Sequence, residues 1–340
     1  MVYYSTTMSS NRPRALILAP YDERQLERLS THCDVTYESW TDSRRLYDPS
    51  ELASRMNNDG FTILVVESDF VFEETFEQTP SLKFVGICRT ATNHIDMAPA
   101  TRHGVVVVNT PGRNAQAVAE HTLALIFALA RRIPEAHQYI HEGHWESPIE
   151  PYISMRGIEL HGRTLGIVGY GNIGQRLSGM ATSIGMRVLA YDPYADAGGR
   201  NVELVGLDSV MQQADFVSIH VPQTPETQGM VTERHIASMK PTSFFLNLSD
   251  PSVVDQNALA STLRGHRIAG AALDVFETHP IAPDSPYLGL DNVILTPHIG
   301  GATQETIERH SQMMTDDILR FLDGHRPLNL VNPEVWDRVG

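Results

Sequence analysis

In the stretch TLGIVGYGNIG, residues Gly169, Gly171 and Gly174 hold the spacing G-x-G-x-x-G, directly after an apolar run and at the start of a helical pattern from about Asn172 to Ile184. The chemistry that such a turn supports is the binding of a diphosphate. Gly169 permits the tight turn, Gly171 lets backbone approach the anion, and Gly174 lets the helix pack on the strand. Free N–H groups at the helix start then face the phosphates. The next apolar run, RVLAY, leads to Asp192, a carboxylate able to accept hydrogen bonds from both hydroxyls of an adenosine ribose and to repel a 2′-phosphate. A dinucleotide site that favours NAD over NADP is expected here.

A second feature is FFLNLSDPSVVD, Phe244 to Asp255, which reads as a strand, a turn and a helix start with the carboxylate of Asp250 at the tip of the turn. On residue type alone Asp250 is a turn residue, because Asp before Pro favours extended backbone and a following helix needs a cap. Further on, FETHP carries His279 and TPHIGG carries His298. Together Asp250, His279 and His298 have the ligand types of a two-histidine, one-carboxylate metal site, but no local spacing supports one and no metal is expected.

The elements that position these residues follow from hydrophobic patterning. Short apolar runs alternate with helical patterns: ALILA at 15–19, FTILVVES at 61–68, LKFVGICR at 82–89 and GVVVVN at 104–109. After about residue 160 come TLGIVG, RVLAY, DFVSIHV, SFFLNL, IAGAALDV and NVILTPH. Continuous Val/Ile/Leu runs predict strands buried on both faces of parallel sheets, and two such series predict two α/β units. Between them AVAEHTLALIFALARRIPEAHQYI, residues 117–140, predicts one long helix, apolar nearly all round in its first five turns. Such a helix is covered on more than one side, by core or by a second subunit. A last helix is predicted over 303–324, with Ile307, Met314, Ile318 and Phe321 at helical spacing and Gly324 as its stop.

Composition narrows the function classes. Against 26 Lys and Arg stand 41 Asp and Glu, a formal charge of −15, which opposes binding to nucleic acid or to anionic membrane. Cys33 and Cys88 are too few for a disulfide framework and lack metal-type spacing. The opening MVYYSTTMSSNRPR lacks the apolar core of a secretion signal, and no apolar run is long enough to span a bilayer. A cytoplasmic protein with a small-molecule substrate is expected.

The chain resembles the D-2-hydroxyacid dehydrogenase family, which includes phosphoglycerate, D-lactate and glyoxylate/hydroxypyruvate enzymes. The matching stretches are VVVVNTPGRNAQAVAEHTLALIFALARR, LHGRTLGIVGYGNIGQRL, ADFVSIHVPQTPETQGMV, VVDQNAL, IAGAALDVFE and LTPHIGGAT, in that order and over nearly the whole chain. The resemblance implies two doubly wound domains, a Rossmann NAD-binding domain at 114–302 inserted into a flavodoxin-like substrate domain made of 1–113 and 303–340. It also implies a homodimer formed through the helix near 117–135. It places Asn172 and Ile173 at the pyrophosphate, Asp192 at the ribose, Val221, Pro222 and Thr227 along the adenosine, and Asp274 at the nicotinamide amide. Leu248, Ser249, His298 and Gly300 complete the implied cofactor contacts.

In the family a histidine donates a proton to the substrate carbonyl, an arginine holds the carboxylate, and a glutamate orients the histidine. By resemblance His298 is that histidine, while NLSDPSVVD puts Asp250 and Pro251 where the motif N-x-x-R-G-x-x-V-D has Arg and Gly, and FETHP puts His279 at the glutamate. The loop whose amides cradle the substrate carboxylate is here Thr90, Ala91 and Thr92, without glycine, and a β-carbon limits the approach of an anion. A carboxylate at 250 repels a carboxylate substrate; it suits hydroxyls or a cationic amino group. The expectation is an NAD-dependent oxidoreductase with an altered active site that disfavours an ordinary 2-keto acid. The alternatives are a non-catalytic NAD(H)-binding or redox-sensing dimer, and an ordinary 2-hydroxyacid dehydrogenase whose cation has moved to Arg89 or Arg113.

Overall fold

The structure is a computed structural model and describes residues 2–4, 12–195 and 201–339. Two compact units make up the chain, Met1–Arg113 with Thr303–Gly340, and Asn114–Ala302. Each apolar run singled out above forms a strand.

Among the described residues the first unit holds a six-stranded sheet. Its strands are β1 (Val2–Tyr4), β2 (Arg14–Ile17), β3 (Asp34–Tyr37), β4 (Ile63–Val66), β5 (Phe84–Ile87) and β6 (Val106–Asn109), in the order β1-β3-β2-β4-β5-β6. All pair in parallel except β1, which runs against β3. Without β1 this is the flavodoxin-like order. The two-residue period of a strand explains why its sequence is apolar throughout. On β4, Ile63 and Val65 pack on one face with Met314 and Ile318 of the helix Gln304–Leu322. Leu64 and Val66 pack on the other with Leu52, Met56 and Phe76.

The second unit holds a seven-stranded parallel sheet among the described residues. Its strands are β7 (Thr164–Val168), β8 (Arg187–Tyr191), β9 (Val202–Leu204), β10 (Phe216–Ile219), β11 (Phe244–Asn247), β12 (Gly270–Leu273) and β13 (Val293–Leu295), ordered β13-β12-β11-β10-β7-β8-β9. The chain winds outward from β7 in both directions, the Rossmann arrangement with one strand added. The helix Ala115–Arg131 covers one face, where Val118, Leu125 and Ile126 pack with Leu165, Ile167 and Leu177. No helix of the described residues is long and apolar enough to cross a membrane.

The single helix expected over 117–140 is instead two, Ala115–Arg131 and Ile133–His141, broken at Arg132 in the left-handed region at φ 53°. Pro134 is the cause. It has no N–H to give to the carbonyl of Ala130, and its ring would clash there in a continuous helix. That carbonyl accepts instead from the N–H of Ile158 at 2.8 Å.

In the first unit, Arg113 is clamped near the point where the strand order reverses, between β2 and β4. It donates to Glu67 at 2.6 Å and to Nδ1 of His310 at 2.7 Å. Since Nδ1 of His310 accepts, its proton sits on Nε2, which donates to the carbonyl of Pro20 at 2.7 Å. Burial first, then Arg113, push the pKa of His310 down to about 4, against a partial opposing effect of the Pro20 carbonyl. Burial pushes His220 down to about 4, and burial followed by Arg89 does the same to His94.

These three imidazoles stay neutral in the fold while those of the unfolded chain titrate near 6.5. Between about pH 6.5 and 4 the unfolded state therefore binds more protons, so their stabilising contribution is complete above that window and is lost as pH falls through it. Urea midpoints measured across this range decline with acid, and His310→Gln makes the decline shallower. An unchanged slope in that variant would contradict the assignment.

Candidate active site

The glycine turn is built as its spacing requires. Gly169 has φ +98°, and a β-carbon there would lie 2.7 Å from the His220 carbonyl carbon. A β-carbon on Gly174 would lie 2.3 Å from the carbonyl oxygen of Gly169, so helix and strand touch through backbone. Gly171 is the opposite case, since a β-carbon there would meet nothing within 4 Å. It is the N-cap of the helix Asn172–Ser183 and no side chain caps that end. Asn172 and Ile173 supply the first N–H groups of this helix. At the end of β8, Asp192 accepts from the N–H of Tyr170 at 2.8 Å and of Tyr194 at 2.9 Å. These two bonds fix its carboxylate beside the turn.

The neighbouring strand ends are tied together. After β10, the carbonyl of buried Val221 accepts from the hydroxyl of Ser249, and the carbonyl of Pro222 accepts from that of Thr227 at 2.6 Å. Leu248 is buried beside this junction. Next comes the turn of interest. Asn247, the last residue of β11, accepts from the Ser249 N–H at 3.1 Å and donates to the Asp250 carbonyl at 2.9 Å. The half-buried Asp250 uses Oδ1 to accept from the backbone and hydroxyl of Ser252, at 2.8 and 2.5 Å, capping the short 3-10 turn Pro251–Val253. The α-helix starts only at Gln256 and has its own cap, Asp255. Among the described residues nothing donates to Oδ2 of Asp250.

Asp274, directly after β12, is buried and organises the loop that carries His298. Its Oδ1 accepts from the Thr296 hydroxyl at 2.6 Å and the Ile299 N–H at 2.9 Å, and its Oδ2 from the Gly300 N–H at 2.8 Å. His298 stands inside this clasp with φ 56°, a backbone conformation that a side chain adopts only where its surroundings enforce it. A β-carbon on Gly300 would lie 2.9 Å from Oδ2, so glycine is what admits the third bond. Nδ1 of His298 and Nε2 of His279 share a hydrogen bond of 3.0 Å, and both imidazoles are exposed. The loop Thr90, Ala91 and Thr92 belongs to the other unit, where the Thr90 carbonyl accepts from Asn109 at 2.8 Å.

Comparison with known proteins adds to this geometry. A family model described as "D-isomer specific 2-hydroxyacid dehydrogenase, NAD binding domain" matches residues 123–300. The chain is 38% identical over 329 residues to a glyoxylate reductase of Korarchaeum cryptofilum (strain OPF8), covering 95% of this chain and 97% of that protein. The chain belongs to the D-isomer specific 2-hydroxyacid dehydrogenase family. Among solved structures, the TT0316 protein of Thermus thermophilus is similar with a TM-score of 0.82 at 33% identity, covering 94% of this chain and 99% of that one. An acyclic imino acid reductase (Bsp5), in complex with NADPH and D-Arg, is similar with a TM-score of 0.81 at 26% identity, covering 94% and 99%.

This dehydrogenase is thus an NAD-dependent oxidoreductase, and its residues fit that cofactor: the space over Gly171 is open to a diphosphate, and an uncapped helix start adjoins it. Of the residues singled out in the sequence, the structure joins His279 to His298 and ties Asp274 to the backbone around Gly300. Among the described residues no group of three or more His, Cys, Asp and Glu is arranged to hold a metal ion. Two members of the site were not named from sequence. Thr296 lies two residues before His298, within reach of that motif. His121, 3.4 Å from the Thr296 hydroxyl and 3.9 Å from Asp274, comes from a distant helix with no spacing to betray it.

Removing the clasp tests it. Asp274→Ala leaves the N–H groups of Ile299 and Gly300 without an acceptor and lowers unfolding free energy by about 2–4 kcal/mol. Asp274→Asn retains one acceptor and loses less. Equal stability of wild type and Asp274→Ala in urea titration would dissolve the assigned role.

Proposed function

We propose that this dehydrogenase moves a hydride between NAD(H) and a small substrate that offers a hydroxyl or a cationic amino or imino group to Asp250, and that an ordinary 2-keto acid is a poor substrate. The observation that carries the reading is the free Oδ2 of Asp250. One oxygen caps the turn and the other remains able to accept from a ligand. A carboxylate brought to it is repelled, and in a partly dehydrated site such repulsion amounts to kcal/mol. The imino acid reductase among the structural relatives is an example of the same fold working on a nitrogen-bearing substrate.

Bound NADH supplies the hydride. His298 supplies the proton to the oxygen or nitrogen on which negative charge develops, acting from Nε2. In its charged state it also carries a proton on Nδ1, which donates to Nε2 of His279 across 3.0 Å. His279 then holds its own proton on Nδ1. A neutral imidazole in this place orients His298 without the charge that a carboxylate would bring. Asp192 favours NAD over NADP by repelling a 2′-phosphate. Thr90, Ala91 and Thr92 are proposed as substrate contacts of the first unit, which we take to be the substrate domain. We place the protein in the cytoplasm, where its two free and buried thiols, Cys33 and Cys88, remain reduced.

We also propose a homodimer. Between residues 127 and 153 the second unit exposes Phe127, Ile133, Ile140, Trp145, Ile149, Tyr152 and Ile153, large apolar side chains close together in sequence, and such exposure marks interaction surfaces when it gathers into a patch.

Restoring the family's residues tests the chemistry. In an NADH absorbance assay the variant Asp250→Arg, Pro251→Gly, His279→Glu gains about a hundredfold in kcat/KM for glyoxylate, the equivalent of a charge effect of about 3 kcal/mol. Efficient glyoxylate turnover by the wild type would refute the substrate reading. Tight NADH binding without turnover of keto acids, imines or alcohols would leave a nucleotide-binding dimer in its place. For assembly, light scattering gives a dimer for the wild type and a monomer for Trp145→Glu with Ile149→Glu; a monomeric wild type would end that proposal.

A further inference from the structure

The helix Ala115–Arg131 meets the loop that carries His298 through a polar side chain. His121 lies one turn after Val118 and one turn before Leu125, two buried residues that pack with Leu165 and Ile167 of the sheet, and its own side chain is 22% exposed. A histidine at the shoulder of an apolar helix face is usually a packing residue. This one reaches further. Its Nε2 comes within 3.4 Å of the Thr296 hydroxyl and 3.9 Å of Oδ1 of Asp274. The ring carbon beside it, Cδ2, faces the other end of the loop, where a β-carbon on Gly300 would lie 3.6 Å away. One imidazole edge thus adjoins the residues two before and two after His298.

The direction of these bonds follows from counting protons. The Thr296 hydroxyl has one proton, and it goes to Asp274 at 2.6 Å. Toward His121 its oxygen can then only accept, so Nε2 carries a proton whether the ring is neutral or charged. An N–H aimed at this oxygen restrains the hydroxyl to the rotamer that faces the carboxylate, and hydrogen bonds that run in one direction polarise and strengthen one another. The same carboxylate takes the N–H groups of Ile299 and Gly300 at 2.9 and 2.8 Å, and these hold His298 at its left-handed φ of 56°, a conformation that persists only where its surroundings enforce it. His121 therefore acts on the backbone of His298 at one remove, through Thr296 and Asp274.

We propose that His121 is a positioning residue of the active site, which aims the Thr296 hydroxyl at Asp274 and thereby holds the loop that presents His298. For its catalytic consequence this rests on His298 being the proton donor; the positioning itself does not. It needs neither Asp250 nor His279.

The test is amide hydrogen exchange of the full-length protein, read by mass spectrometry over residues 296–300, where the N–H groups of His298, Ile299 and Gly300 are bonded. His121→Phe keeps a ring and removes the donor. Exchange over this segment rises about fivefold, as expected when a local opening loses one hydrogen bond, while the strands of the sheet and the melting temperature keep their wild-type values. His121→Gln, whose amide nitrogen can donate in place of Nε2, restores protection; a residue that merely fills space would be replaced better by Phe than by Gln. Unchanged exchange in His121→Phe, or no recovery in His121→Gln, overturns the proposal. So does a rise spread over the whole sheet with a lowered melting temperature, which marks general packing. Should His121→Phe fail to fold, His121→Leu is judged by the same criteria. His298→Gln in an NADH absorbance screen tests the proton donor separately: activity retained there removes that reading and leaves the exchange result, and the positioning, as they stand.

Discussion

A parallel sheet covered by helices on both faces has no face left for chemistry. Both units are built on such a sheet, and the residues that could act are driven to the ends of the strands. In the second unit Gly169 follows β7, Asp192 follows β8, Ser249 and Asp250 follow β11, Asp274 follows β12 and Thr296 follows β13. In the first, Glu67 follows β4, and Arg89 lies just beyond β5. Because the strands of each sheet are parallel, their ends share one edge of that sheet, and within each unit residues far apart in sequence come together there. The reacting groups depend on this constraint more than on any single bond.

Within that edge the buried carboxylate of Asp274 does the most local organising. Left-handed backbone at His298 is unfavourable by itself, and three donors collected on one carboxylate maintain it. The loop backbone is held in this way, and the imidazole of His298 is met at Nδ1 by His279. The imidazole of His298 and the frame that holds its backbone are separate parts of the loop.

Much of this was legible in the sequence, for definite reasons. Runs such as ILVV and FVGI are apolar at every position because both faces are buried, so they announce a parallel sheet. The glycine turn was legible because each glycine answers a steric demand, seen in the contacts a β-carbon would make at Gly169 and Gly174. Short strands with mixed residues were not legible: β3 reads DVTY, and β9 reads VEL at the sheet's edge. The break at Arg132 was hidden by strong apolar periodicity on both sides, although Pro134 was there to be read. The site was legible where its residues cluster in short motifs, as at His298. It was not where a partner comes from a remote helix, as His121 does.

The cap at Asp250 has a bearing on how such a protein can change. Its carboxylate is bound to the backbone and hydroxyl of Ser252, two residues on, and the helix behind it is capped independently by Asp255. The side chain of Asp250 supports its own turn, while Asn247 at the end of β11 ties that turn to the sheet. The strand before the tip and the helix after it are held by bonds that do not involve the Asp250 carboxylate, so an exchange of that side chain is compatible with an intact fold.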